Sequence, residues 1–149
     1  MNFKLNKMFI YSCFIRTNNE RLKRELEHLG YDVSKLKTGR YCIATSTANS
    51  SAVEIDEESF DCSNPHRTWN CSGRIDCGDN EELFLAIAAL RDDSDIDQWF
   101  VIDVDAYIDL NVGDWFKATD INGRYHVGIK IDPMYCHKAT INELINHFK

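Results

Sequence analysis

Proline is scarce, two in 149 residues, and glycine stands at seven. That scarcity excludes a collagen-like repeat and a low-complexity linker. Nowhere does an apolar run approach the roughly 20 residues that span a bilayer. The stretch Met8-Phe9-Ile10-Tyr11-Ser12-Cys13-Phe14-Ile15, preceded by Lys4 and Lys7, has the outline of a signal peptide. It lacks a small-x-small cleavage site, and Arg16 leads straight into a helix signal. It reads as a buried strand of a cytoplasmic protein with no membrane contact, which leaves Asn49-Ser50-Ser51 and Asn70-Cys71-Ser72 as chance sequons.

Positive charge is the other shortage. Residues 1–75 carry 11 bases and 9 acids, residues 76–149 carry 6 and 15, and between Asp76 and Asp114 there are 12 acids and one base, Arg91. Phosphate neutralisation has no footprint there, so direct nucleic-acid binding is disfavoured. An acidic run of this kind is either a solvated face that keeps a small protein soluble or a docking surface for a basic partner. Its densest part is Asp92, Asp93, Asp95 and Asp97.

What remains suits one domain over 1–149. The chain is 44% apolar, long enough to bury roughly two thirds of its unfolded surface in a single core. Thr17-Asn18-Asn19-Glu20 has the form of a capping box, Leu22, Leu26 and Leu29 follow on one stripe, and Gly30 sits where a left-handed residue closes a helix. Asp79-Asn80-Glu81-Glu82 repeats the box with an Asp cap before Leu83, Phe84, Ile87, Ala88 and Leu90. Thr140-Ile141-Asn142-Glu143 opens a third helix carrying Leu144, Ile145 and Phe148. Strands are predicted at Phe9–Ile15, Tyr41–Thr45, Ala52–Ile55 and Trp99–Ile102. A hairpin is predicted from Trp115–Thr119 to Tyr125–Ile131 around Asn122-Gly123, a pair suited to the two positive φ angles of a type I′ turn. The order β-α-β-β-α-β-β-β-α predicts an α+β domain with a mostly antiparallel sheet of five to six strands and three helices, whose first six elements allow a split βαβ arrangement. Residues 56–76 lack periodicity and form an irregular loop.

Two segments carry a resemblance. Phe14-Ile15-Arg16-Thr17-Asn18-Asn19-Glu20 through Leu29-Gly30-Tyr31, and Cys77-Gly78-Asp79-Asn80-Glu81-Glu82 through Arg91-Asp92-Asp93 with Gln98-Trp99-Phe100, resemble small uncharacterised proteins carried by phages and mobile elements of gut anaerobes. The resemblance covers about a third of the chain. It implies an accessory protein, and it carries over no functional residue.

Six cysteines are present, and without a secretory signal they are expected as thiols. Cys13 and Cys42 fall within apolar strand patterns and read as small buried hydrophobes. Cys62, His66, Cys71 and Cys77 put four soft donors in the irregular loop, and four such donors suit a tetrahedral Zn²⁺. Their spacing lacks the tight paired knuckles of structural zinc sites, so free thiols are the leading expectation and no other cofactor is implied. His66 with Cys71 or Cys77 is also the one arrangement that offers thiol catalysis, whereas the adjacent Cys136 and His137 point to opposite faces of an extended chain. Asp103 and Asp105, on one side of a strand continuing from Trp99–Ile102 with Asp109 beyond, are the metal-assisted alternative. Asp93-Ser94-Asp95-Ile96-Asp97 begins like a calcium loop, but its Gly is missing and Val104 occupies the position of its bidentate Glu, which excludes an EF-hand. Trp99 and Trp115 are expected in the core; Trp69, in the irregular loop, either anchors a partner or folds back over the sheet. With no catalytic fingerprint, the leading reading is a non-enzymatic binding protein using Asp92, Asp93, Asp95, Asp97 and Trp69. A small thiol or metal-assisted enzyme and a zinc-stabilised binding module are the alternatives.

Overall fold

A computed structural model describes residues 8–39, 41–56, 73–106, 110–118 and 132–149, together with the backbone of 124–125 and 129–130. The elements run β1 (Cys13–Ile15), α1 (Glu20–Leu29), β2 (Cys42–Ser46), β3 (Ser51–Ile55), β4 (Ile75–Asp76), α2 (Glu81–Ala88), β5 (Trp99–Ile102), β6 (Trp115–Lys117), β7 (Arg124–Tyr125), β8 (Ile129–Lys130), β9 (Cys136–Lys138) and α3 (Ile141–Phe148). The class is α+β, as the element order predicts, but the strands divide into a four-stranded sheet β3-β2-β1-β4, a three-stranded sheet β6-β5-β9 and the pair β7-β8. All neighbours are antiparallel except β1 and β4. Trp99–Ile102 joins the second sheet, so the split βαβ arrangement does not form.

The three helices form where the apolar stripes place them, with two caps displaced. Asn19, in extended conformation, accepts the Leu22 N–H and starts α1 two residues after Thr17. Asn80 does the same for Leu83, because Gly78 at φ +62° and Asp79 still belong to the turn leaving β4. In a run of capping-competent side chains, the residue that caps is the last one before the backbone turns helical. Gly30 closes α1 at φ +112°, donating to the Leu26 and Glu27 carbonyls. Thr140 and Glu143 make the reciprocal capping box of α3.

Four strand readings need correction. Within Phe9–Ile15 only Cys13–Ile15 pairs in a ladder; Phe9 makes an isolated bridge to Arg91 and stacks on Tyr31 at 4.1 Å, closing the end of α1 instead. The irregular stretch 56–76 contains β4, two residues held parallel to β1 through the pairs Cys13↔Ile75 and Phe14↔Asp76. The expected hairpin is replaced: β6 pairs with β5, and Tyr125–Ile131 is not one strand, since Arg124–Tyr125 folds back on Ile129–Lys130. Residues 120–123, with Asn122 and Gly123, lie outside the described residues. β9 had no strand signal of its own and forms because β5 presents an unpaired edge to it.

One core joins both sheets. The helix-facing side of the first sheet supplies Cys13, Ile15 and Ile43, the helices supply Leu22, Leu26, Phe84 and Ile87, and the second sheet supplies Val101 with Ala139 beside α3's Leu144. The opposite faces carry small separate clusters, Phe14 with Cys42 and Ala44, and Phe100 with Ile102, Phe116 and Cys136. Trp99 and Trp115 pack at the core's edge, not inside it, against Phe148 and, for Trp115, His147 at 3.8 Å. A single cooperative unfolding transition follows from the shared core. Leu26→Ala and Ile87→Ala, both at fully buried positions, should each cost on the order of 2–5 kcal/mol in chemical denaturation. A loss below about 0.5 kcal/mol at both would contradict the described helix faces.

Candidate functional site

The acidic run meets its own bases in the fold. Arg91 grips Asp93 with Nε and Nη2, Lys138 Nζ lies 3.2 Å from Asp95, and His28 Nε2 lies 3.1 Å from Asp97. Of the four acids singled out as a docking face, Asp92 alone makes no ion pair among the described residues. Trp69 lies outside them.

A second group of acids stands at the end of the second sheet, where β5 finishes at Ile102. Three loops converge there. Gly113 N–H donates to Ile102 O and Ile102 N–H to Asp114 O, while Asp103 and Val104 N–H both donate to Tyr135 O. These loops expose Val104, Val112, Met134 and Tyr135, with Met134 at 77% the most open large apolar side chain. Around them stand Asp103, Asp105, Asp114 and Asp132. Asp114 and Asp132 accept the N–H groups of Asn111 and Met134, which fixes the two turns. No Lys or Arg side chain pairs with any of these four acids among the described residues. The second sheet's lysines, Lys117 and Lys138, pair across from Trp99 and Phe100 at the other end of β5. The sheet therefore carries its acidic, apolar loops at one end, the tip, and its two lysines at the other, where acids stand beside them.

One titratable ring ties the tip to α3. His137 Nδ1 is 2.7 Å from Asp103, and Nε2 is 3.0 Å from both oxygens of Glu143. The hydrogen bond to Glu143 raises the His137 pKa most; burial opposes it, and the hydrogen bond to Asp103 adds to the rise, so the net shift is upward. Burial pushes Glu143 up, but the Thr140 N–H and His137 outweigh it, and the carboxyl settles below its usual range. His137 thus clamps the loop after β5 to the first turn of α3.

The metal and thiol readings fare differently. The strand ends at Ile102, so Asp103 and Asp105 lie on a bend and not along one strand face as expected, and Asp103 is spent on His137. Asp109 lies outside the described residues, as do Cys62, His66 and Cys71. Among the described residues no group of three His, Cys, Asp or Glu side chains is placed to hold a metal ion. Cys77 does not sit in an open loop: it is 3% exposed, its thiol directed to Ile75 O, and burial followed by the neighbouring Cys13 pushes its pKa well up. A thiol so held is a poor nucleophile. Cys136 and His137 do face opposite ways, Cys136 into the second cluster and His137 toward Asp103 and Glu143.

The tip itself was not legible as a site, because its apolar residues come from positions 104, 112, 134 and 135 and no local pattern links them. No protein-family model, curated protein or solved structure matches this chain. No helix among the described residues is long and apolar enough to cross a membrane.

Folding raises the His137 pKa above its ordinary 6.5, so the folded chain holds that proton more tightly than the unfolded one. The stabilisation is complete below pH 6.5 and is lost as pH climbs through the raised folded value. The side chain is 40% exposed, which limits the effect to about 0.5 kcal/mol. Urea denaturation from about pH 6 to 9 should show this decline, and His137→Gln should flatten it. An undiminished decline in the variant would locate the titration elsewhere.

Proposed function

We propose that this protein is a non-enzymatic accessory protein that binds another protein, and that contact is made through the acidic, apolar tip of the second sheet. The observation that carries the reading is the pairing of four exposed apolar side chains with carboxylates that no lysine or arginine among the described residues neutralises. Exposed apolar patches rimmed by one sign of charge are the ordinary form of a protein-docking surface. Val104, Val112, Met134 and Tyr135 supply the apolar contact, and methionine in particular adapts to irregular partners. The carboxylates of Asp105, Asp114 and Asp132 select a basic partner segment and speed its approach. The Asp92–Asp97 stretch contributes less under this reading, since Asp93 and Asp95 are already paired with Arg91 and Lys138 and Asp97 lies against His28. The resemblance to accessory proteins of phages and mobile elements agrees with such a role.

The test begins with affinity purification from the native host and continues on the purified pair. Binding should protect amides of residues 103–106, 110–114 and 132–135 from hydrogen exchange. Val112→Ser with Met134→Ser should weaken the complex by about tenfold or more. Asp105→Asn should slow association and flatten its salt dependence. Asn replacements at Asp92 and Asp93 should leave both nearly unchanged. A partner retained by all the tip variants would overturn the assignment of the surface. Turnover of a phosphate or acyl substrate with no partner recovered would favour the enzyme reading.

A further inference from the structure

A cavity of about 190 Å³ opens on the other side of the molecule, among α1, α2 and the lysine-bearing end of the second sheet. Its apolar lining is Leu29, Leu85, Ala86 and the ring of Trp99. Charged side chains ring it, and their commitments are unequal. Arg21 is held by Glu81, which does not line the cavity, and Asp97 is bridged by His28, which does not line it either. Lys117 sits over the Trp99 ring, its Nζ 5.7 Å from the centroid. Glu25 from α1 and Glu82 from α2 face the same space and make no ion pair among the described residues.

We infer that this cavity is a binding site for a small organic cation, an ammonium or guanidinium group on an apolar stem of a few carbons. The size comes first: at about 30 Å³ for each water-sized volume, the space holds a molecule of side-chain dimensions and not a nucleotide or a drug-sized ligand. Its chemistry follows from the lining. An apolar stem covers Leu29, Leu85 and Ala86, while the cationic head lies between the Glu25 and Glu82 carboxylates, which otherwise repel each other across the opening. The Trp99 ring adds apolar surface for the stem, its own cation contact being already made by Lys117. An anion would meet two unpaired carboxylates, Glu25 and Glu82, against one ammonium, Lys117, already placed over the Trp99 ring, and a neutral molecule would gain no charge pairing. This site is at the opposite end of β5 from the tip, so it stands or falls independently of the proposed protein contact.

Titration of the full-length protein with n-pentylammonium and n-butylguanidinium, followed by NMR, tests it. The Ala86 methyl, the Leu85 methyls and the Trp99 indole N–H should shift together, with a dissociation constant on the order of a millimolar for ligands this small. n-Pentanol should bind at least about fivefold more weakly, and pentanoate more weakly still. Glu25→Gln with Glu82→Gln, both on exposed helix faces, should reduce cation affinity by about tenfold and leave the fold unchanged. Pentanol or pentanoate binding as tightly as the ammonium, or unchanged affinity in the double variant, would overturn the inference. Absence of any shift at these groups with about 20 mM of either cation would do the same. A lysine-bearing capped tripeptide that binds where both free cations fail would show a peptide pocket and overturn it also.

Discussion

Helix α2 is the element on which both sheets depend. Leu83, Phe84, Ala86, Ile87 and Ala88 are all buried, which for an eight-residue helix leaves only Glu81, Glu82 and Leu85 toward the outside. A helix apolar on so much of its circumference has to be covered from several sides at once. β1 and α1 cover it from the first sheet, and α3 covers it from the second. Asn80 completes the arrangement: its Oδ1 caps α2 through Leu83 N–H while its Nδ2 donates to Phe148 O at the end of α3. The two sheets share no ladder, so their common burial of α2 is what makes them one core. It is also what holds α1 and the Trp99 end of β5 close enough to enclose a cavity between them.

The legibility of this fold follows the range over which each signal acts. α2 and its neighbours could be read because a cap, a stripe and a stop lie within about ten residues of one another. The errors at Thr17 and Asp79 are errors of one or two residues within runs of polar cappers, where only the turn leaving the preceding strand decides which side chain caps. β4 and β9, at two and three residues, are too short to alternate visibly; each exists because a longer strand offers it an edge. The hairpin reading failed for the complementary reason. Asn122-Gly123 lies outside the described residues, and what corrects the reading is the far strand: Arg124–Tyr125 pairs with Ile129–Lys130 inside the stretch read as one strand, a reversal that no residue-by-residue alternation announces.

The candidate site shows the same division more sharply. An excess of acid in the second half was plain from composition, yet charge count does not say which carboxylates are free. Arg91 reaches Asp93 within the run, but Lys138 comes to Asp95 and His28 to Asp97 from far along the chain. Only the fold reveals that two of the run's four densest carboxylates meet Arg91 and Lys138 and that a third lies against a histidine. Cys77 illustrates a related limit. As a sequence position it belongs with Cys62, His66 and Cys71, but two residues of β4 carry it into the core beside Cys13.

What the fold does with its few bases bears on why the tip keeps its charge. Arg91 is committed to Asp93 and to Leu29 O, Lys138 to Asp95, and Lys117 to the ring of Trp99. None is directed to the end of β5 beyond Ile102. Leaving Asp105, Asp114 and Asp132 without a lysine or arginine partner among the described residues adds some self-repulsion. It does, however, change what the exposed Val112 and Met134 can adhere to. Two copies of this chain meeting tip to tip would bring like charges together around an apolar contact too small to offset them, so self-association is penalised. A partner with basic residues around its apolar segment meets the same ring as an attraction. Under the proposed reading the two parts divide the work: the apolar side chains would supply the contact, and the surrounding carboxylates would decide which surface is admitted to it.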